Sequence, residues 1–293
     1  MRDVFINPFT DFGFKKLFGE EPHKDLLISF LNSLLPEKHQ IQDLSYSKNE
    51  YQGVSSLDRK AVFDLNCISH SGERFIVELQ RVKQTFFKDR SIYYSTFAVQ
   101  EQAKRGEWNY RLEAIYTVGI LDFLIDDPKD RVVYHAQLKD QDNDLFYDKL
   151  NFIYLVLPRF NRPLSRDMTA QEKWLYVFRH LHELESMPAE LYEEVFFHLF
   201  QIAQIARFPP EERSFYEHSL KEYRDYQNGQ DTAREEGRQE GMAEGLELGK
   251  QLGLEEGELQ GKQKAAQRML AKGMNAEMVA ELVELPIELV RQL

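Results

Sequence analysis

Apolar residues recur at helical spacing twice near the start of the chain. Thr10 and Asp11 are N-cap candidates, and Phe14, Leu17 and Phe18 follow on one face. After Gly19 and Pro22, a second helix is predicted over 24–35, with Leu26, Leu27, Phe30, Leu31 and Leu34 on one side and Pro36 as its stop. Between 41 and 82 the period shortens towards two. A first strand is expected at 41–47; then 60–70 and 74–82 flank Ser71-Gly72-Glu73, a hairpin turn. Ala61, Phe63, Leu65 and Cys67 share one face of the first hairpin strand, and Phe75, Val77 and Leu79 one face of the second. A helix over 88–106, closed by Gly106, leads into a strong strand at 114–123. Further strands are expected at 131–138 and 151–157. From 165 to 228 the pattern is helical, broken near Met187-Pro188 and at Pro209-Pro210.

The last quarter of the chain follows another rule. Gly237, Gly241, Gly245, Gly249, Gly253, Gly257 and Gly261 recur every four residues with Glu-rich filling, and 264–293 then returns to apolar helical spacing. Each interior glycine costs a helix about 1 kcal/mol relative to Ala, so seven cost on the order of 7 kcal/mol. The segment is therefore either a flexible acidic linker or a helix whose glycines admit another backbone, and association between subunits is the favoured alternative. Residues 264–293 resemble a helix-turn-helix in outline, but the final helix offers a groove only Arg291 and Gln292, which favours an interaction module. Four parts follow: an α/β core at 1–160, an α-helical extension at 161–228, the repeat at 229–263 and a small helical module at 264–293.

Composition narrows the setting. The only cysteine is Cys67, which excludes an internal disulfide and suits a reducing cytoplasm. No run approaches the roughly 18 apolar residues that a membrane span needs, and the N-terminus has no signal-like apolar core. A net charge of −12 argues at first against a nucleic-acid partner. The charge is uneven, however: residues 1–111 hold 16 Lys and Arg against 15 Asp and Glu, and the remainder 21 against 34. The acidity lies away from the hairpin.

Asp64 and Glu78 are the chemistry-bearing residues of that hairpin. Each is flanked by apolar residues in a predicted strand, where carboxylates are disfavoured without a partner or a metal. A turn centred on Ser71 sets them directly opposite, and one centred on Gly72 sets them diagonally. Two such carboxylates repel unless a cation lies between them, and an all-oxygen ligand set suits Mg²⁺ or Mn²⁺. Gln80 lies two residues on and shares that face. The plain alternative is a solvated face or a local ion pair with Arg74 or Lys60.

The run Asp-Phe-Gly-Phe-Lys-Lys-Leu-Phe-Gly at 11–19, the Asp64 strand, Ile-Val-Glu-Leu-Gln at 76–80, and Arg90-Ser-Ile-Tyr-Tyr followed by Gln102-Ala-Lys-Arg-Gly106 resemble the recombination-promoting nuclease (Rpn) family. These bacterial PD-(D/E)XK proteins are also described as transposases, and the resemblance covers roughly residues 5–230. It implies a restriction-endonuclease-like fold, in which a mixed sheet is flanked by helices, and metal-dependent cleavage of DNA linked to recombination or to mobile or foreign DNA. By the same resemblance Asp64 and Glu78 are the catalytic, metal-binding acids, and Asp11 matches an acid that sometimes joins the metal site. Gln80 stands where the wider superfamily has a lysine that stabilises developing charge. Arg90, Tyr94 and Gln102, on the following helix, are the expected DNA contacts. The alternative is a nuclease-fold protein, weakened or silenced by Gln80, that binds DNA or protein.

Overall fold

A computed structural model describes residues 3–51, 61–103, 109–125 and 128–293. Lys60 and Gly106 lie outside these residues. The chain forms two compact units, Met1–Tyr223 and Arg224–Leu293.

In the first unit, α1 (Asp11–Phe18) and α2 (Lys24–Leu34) lead into β1 (Leu44–Tyr46), the short pair β2 (Glu50–Tyr51) and β3 (Ala61–Val62), β4 (Leu65–Ser69) and β5 (Arg74–Gln80). Then come α3 (Phe87–Gln100), β6 (Ile115–Leu121), β7 (Val133–Lys139), β8 (Leu145–Val156), α4 (Ala170–His180) and α5 (Glu194–Ala203). The six-stranded sheet has the order β1-β4-β5-β6-β8-β7. Its centre, β5-β6-β8, is parallel, whereas β1, β4 and β7 join antiparallel. The crossover from β5 to β6 runs through α3, as a parallel pair requires. This is a mixed sheet flanked by helices, an α/β architecture.

Thr10, and not Asp11, caps α1: its hydroxyl accepts from the Gly13 N–H at 2.9 Å. Gly13 is required there by close approach, since a Cβ at this position would lie 2.2 Å from the Asn7 carbonyl oxygen. Gly72 takes φ +99° in the β4–β5 turn, a conformation that other residues adopt at a cost.

Alternation along β5 divides the core. Phe75, Val77 and Leu79 join Leu65, Cys67, Val118, Ile120 and Leu155 beneath α1, α2, α4 and α5, in a cluster centred on Phe18, Phe30, Trp174 and Phe178. Ile76 faces the other way, packing with Phe63, Tyr94, Phe97 and Ala98 under α3. Residues 161–223 share the sheet's core and form no separate layer. Tyr216, 2% exposed, accepts from the Asn7 N–H at 3.0 Å, and Ser219 accepts from the Phe12 N–H at 3.2 Å, so these two residues fix the start of α1.

Two departures from the hydrophobic pattern fall within the sheet. The predicted strand at 60–70 is broken at Phe63-Asp64, and Phe63 turns to the α3 side instead of joining Leu65 and Cys67. The cause is a change of partner: β3 pairs with β2, the Phe63 N–H donates to the Asn49 carbonyl, and β4 pairs with β1 and β5. The second departure is β8, which starts at Leu145 rather than near 151. Its first half is a projecting hairpin with β7, with Phe146 78% exposed, so no burial pattern marks it.

A 62-residue helix, α6 (Pro210–Ala271), contains all seven repeat glycines, and none has a neighbour within 4 Å of a built Cβ among the described residues. In the second unit, the end of α6 packs with α7 (Ala276–Val283) and α8 (Ile287–Val290) around Ala266, Val279, Val283, Leu285 and Val290. Met278 and Leu282, part of the expected apolar face, are 53% and 58% exposed.

Because Trp174 is 1% exposed at the meeting point of α2, α4 and α5, Trp174→Ala is expected to lower stability by about 3–5 kcal/mol in denaturant unfolding.

Candidate active site

Glu78 lies in the middle of the sheet, paired with Gly119 of β6, and is 6% exposed. It shares the α3 face of β5 with Ile76 and Gln80. The observed register, Leu65 opposite Val77, centres the hairpin on Ser71 and aligns Asp64 with Glu78.

Asp64, however, is at a bend immediately before β4 and not inside a strand. The ladder explains why a carboxylate fits there. Odd-numbered amides of β5 point towards β4, and beyond Leu65 no strand backbone continues in register to receive the Leu79 N–H. The Asp64 carboxylate does so, with Oδ2 accepting from Leu79 at 2.7 Å. In return, Glu78 Oε1 accepts from the Asp64 N–H at 3.3 Å. Each acid thus receives a backbone donor from the other's strand or its neighbour.

Two side chains reach the second oxygen of Glu78. Gln80 Nε2 donates to Oε2 at 3.1 Å, and Arg90 Nη2 of α3 lies 3.7 Å from the same atom. Arg90 also donates to Gln84 at 3.1 Å, and its guanidinium sits 4.8 Å from the centre of the Tyr94 ring. Glu78, Gln80, Arg90, Ser91, Tyr94, Thr117, Gly119 and Tyr154 surround a small cavity with room for about one water molecule. A Cβ at Gly119 would meet the Tyr154 ring at 2.9 Å.

Burial, and then the neighbouring Asp64 charge, push the Glu78 carboxyl up to about 8, against the opposing pull of Arg90. Burial likewise raises Asp64, the Leu79 N–H opposes it, and the Asp11 charge adds to the rise. Glu78 therefore holds a proton at neutral pH that a multivalent cation would displace. Two adjacent oxygen donors, one of them buried, fit a divalent metal ion.

The other sequence candidates are placed as follows. Asp11 opens α1, half exposed, and pairs with Lys15 at 2.9 Å. Tyr94 is 9% exposed and packs edge-to-face on Phe63 at 5.0 Å, within the core under α3. Gln102 uses its amide at both ends on the backbone of Glu113, accepting at 2.7 Å and donating at 3.3 Å, which ties the end of α3 to the start of β6. Arg74, the alternative partner for the acids, pairs instead with Glu101. Among the described residues no three His, Cys, Asp or Glu side chains converge on a common metal position. Sequence reasoning missed Thr117, an ordinary strand residue on the same face whose neighbours only the parallel β5–β6 register reveals.

The model of the PD-(D/E)XK nuclease family transposases matches residues 8–233. The chain belongs to this family. The matched region takes in α1, the whole sheet and α3, and so every residue of the site just described. Membership marks the protein as a nuclease of the transposase-associated kind, with DNA as the implied substrate and divalent metals as the family's usual cofactors. Searches of curated proteins and of solved structures returned no match. Among the described residues no helix is long and apolar enough to cross a membrane.

The raised Glu78 carboxyl gives a pH signature. Folding without metal takes up a proton between the unfolded value of 4.5 and the folded value of about 8, so stability is greatest below that window and falls as pH rises through it. Thermal unfolding in chelator should therefore show a Tm that declines from pH 5 to pH 9. Glu78→Gln should flatten this slope and raise Tm at pH 8 by on the order of 5 °C. A slope unchanged in the variant would show that Glu78 is ionised in the folded protein throughout.

Proposed function

We propose that the protein is a divalent-metal-dependent endonuclease that hydrolyses phosphodiester bonds of DNA, in the recombination or removal of mobile or foreign DNA. The observation that carries this reading is the carboxylate pair Asp64–Glu78, with Glu78 buried and each acid accepting a backbone N–H from the other's side of the hairpin, within a chain of nuclease family. In this reading Asp64 and Glu78 hold the cation, Mg²⁺ or Mn²⁺. Asp11 becomes a third oxygen ligand on leaving Lys15, its charge being already felt at Asp64. When bound, the metal supplies Lewis acidity at the phosphate and lowers the pKa of water.

The chain's own groups do the remaining work. Gln80 donates to Glu78 Oε2 and so fixes the direction of that carboxylate. Asp64 is held by the Leu79 N–H, so that little rearrangement is needed to receive a cation. Hydrolysis adds water across one P–O bond: the water oxygen bonds to phosphorus, its proton passes to solvent, and the departing alkoxide takes one up. Tyr94 and Gln102, packed as described, serve by holding α3 and its exit. The setting proposed is the cytoplasm.

A second reading, a nuclease fold kept for binding or regulation, is favoured by Gln80, an uncharged residue whose amide is already engaged by Glu78. The two readings part on one measurement. Supercoiled plasmid incubated with Mg²⁺ should be nicked by the wild type. Activity should fall at least 10²-fold in Asp64→Asn and Glu78→Gln, which keep side-chain polar groups for Leu79 and Gln80. Wild-type protein that binds Mg²⁺ in calorimetry yet never nicks would establish the binding role.

We also propose that the glycine-bearing part of α6 associates with the same segment of a second copy, where small residues let backbones approach. Met242, Leu246, Leu248, Leu252 and Leu254 flank these glycines and are all more than half exposed. Sedimentation equilibrium of the full chain should give a dimer or larger, and a chain ending at 223 a monomer. A monomeric full chain at 100 μM (roughly the range of weak assemblies,) would rule the association out.

A further inference from the structure

The site as described lacks the lysine of the superfamily, and the structure shows where a positive charge is found instead. We propose that Arg90 is the working cation of this centre, dividing with Gln80 the two tasks that a single lysine performs elsewhere. The inference rests on the nuclease reading and deepens it.

Three observations carry it. First, hydrogen bond and charge arrive at one atom from two elements: Gln80 Nε2 of β5 is 3.1 Å from Glu78 Oε2, and Arg90 Nη2 of α3 is 3.7 Å from it. A lysine at 80 would bring both to that place on one side chain; here the strand supplies the neutral donor and the helix the charge. Second, Arg90 is held rather than waving in solvent. Its Nη1 donates to Gln84 at 3.1 Å, its plane lies 4.8 Å from the Tyr94 ring centre, and its side chain is 35% exposed. Tyr94 in turn is fixed against Phe63 by the break that places Asp64. Third, the guanidinium is not fully spent. Its Nε is buried without a hydrogen-bond partner among the described residues, and Arg90 lines the small cavity beside Glu78 and Gln80 together with Thr117, whose hydroxyl is likewise buried without one. An unspent N–H beside a carboxylate pair is suited to an anionic oxygen, and in phosphodiester hydrolysis negative charge grows on the phosphoryl oxygens as the water oxygen bonds to phosphorus and the ester P–O bond breaks. Arginine, permanently charged and forked, can hold Glu78 with one edge and the phosphoryl group with another.

The test pairs removal of the cation with its return at the lysine position. Arg90→Gln, Arg90→Lys, Gln80→Lys and the double variant Gln80→Lys/Arg90→Gln are compared in Mg²⁺-dependent plasmid nicking, Mg²⁺ calorimetry and thermal unfolding. Arg90→Gln is expected to lower kcat by about 10²–10³-fold with KM changed less than about threefold, the scale of losing one charge-stabilising donor. Its Mg²⁺ affinity should be equal to or tighter than wild type, because a positive charge beside the metal position has gone; a merely structural role would weaken both together. Gln80→Lys in that background should restore kcat at least about tenfold, and Arg90→Lys should fall between. Arg90→Gln that keeps kcat within threefold, or a folded double variant that regains nothing, overturns the proposal while leaving the nuclease reading intact. If Arg90→Gln does not fold, Gln80→Lys alone decides. A rise below threefold means that the cation was already present, and any larger rise means that it was missing and overturns the proposal. Wild-type protein that neither binds Mg²⁺ nor nicks DNA removes the reading and this inference together.

Discussion

Taking a carboxylate out of water costs several kcal/mol unless opposite charge or hydrogen bonds replace the solvent, and Glu78 has been taken out almost completely. Much of the surrounding structure is the response to that cost. The Asp64 N–H, the Gln80 amide and the Arg90 guanidinium all address its two oxygens, each from a different piece of the chain. They do not suffice, for the carboxyl still sits well above its ordinary range. A sheet built only for stability would place valine or isoleucine here, as it does at Ile76 and Val77 on either face. Retaining the acid leaves a local imbalance that the folded chain tolerates because α1, α2, α4 and α5 bury a large aromatic core on the opposite face of the sheet.

The break in the hairpin strand belongs to the same economy of groups. Regular pairing through 63–65 would have given the Leu79 N–H to the backbone of residue 63 instead of to the Asp64 carboxylate. Ending the ladder there releases the carboxylate to receive the Leu79 amide and sets it beside Glu78, and it moves Phe63 under α3 to support the ring on which Arg90 rests. One local change of hydrogen-bond partner therefore arranges an acid, an aromatic support and, through that support, a cation.

Much of this was legible in the residues. The helical spacing of α1 and α2, the Ser71-Gly72 turn, the apolar face Phe75-Val77-Leu79 and the pairing of Asp64 with Glu78 all follow from periodicity and turn chemistry, because each is set by neighbours close in sequence. What escaped depends on distant partners. Alternation alone cannot show that Phe63 leaves its face, since the cause is the Asn49 carbonyl fourteen residues earlier. It cannot show that Gln102 is committed to Glu113 across the end of α3, or that Thr117 shares the Glu78 face, which is a property of parallel register. The projecting start of β8 carries no burial signal to read. That Gln80 stands where the family resemblance implies a lysine was visible from the start, whereas its proposed compensation by a residue ten positions on needed the helix to be placed over the strand.

Gly119 sits across the parallel ladder from Glu78, where its missing side chain leaves the Tyr154 ring in place and the cavity beside the acid open. Glycine and alanine codons differ by a single base. The shortest evolutionary route to a silent descendant of this protein therefore need not touch either acid. One added methyl on β6 would meet the Tyr154 ring at 2.9 Å, disturb the wall of the cavity beside the acid and leave the motif residues all present, so that an inactive copy would still read in sequence as a nuclease.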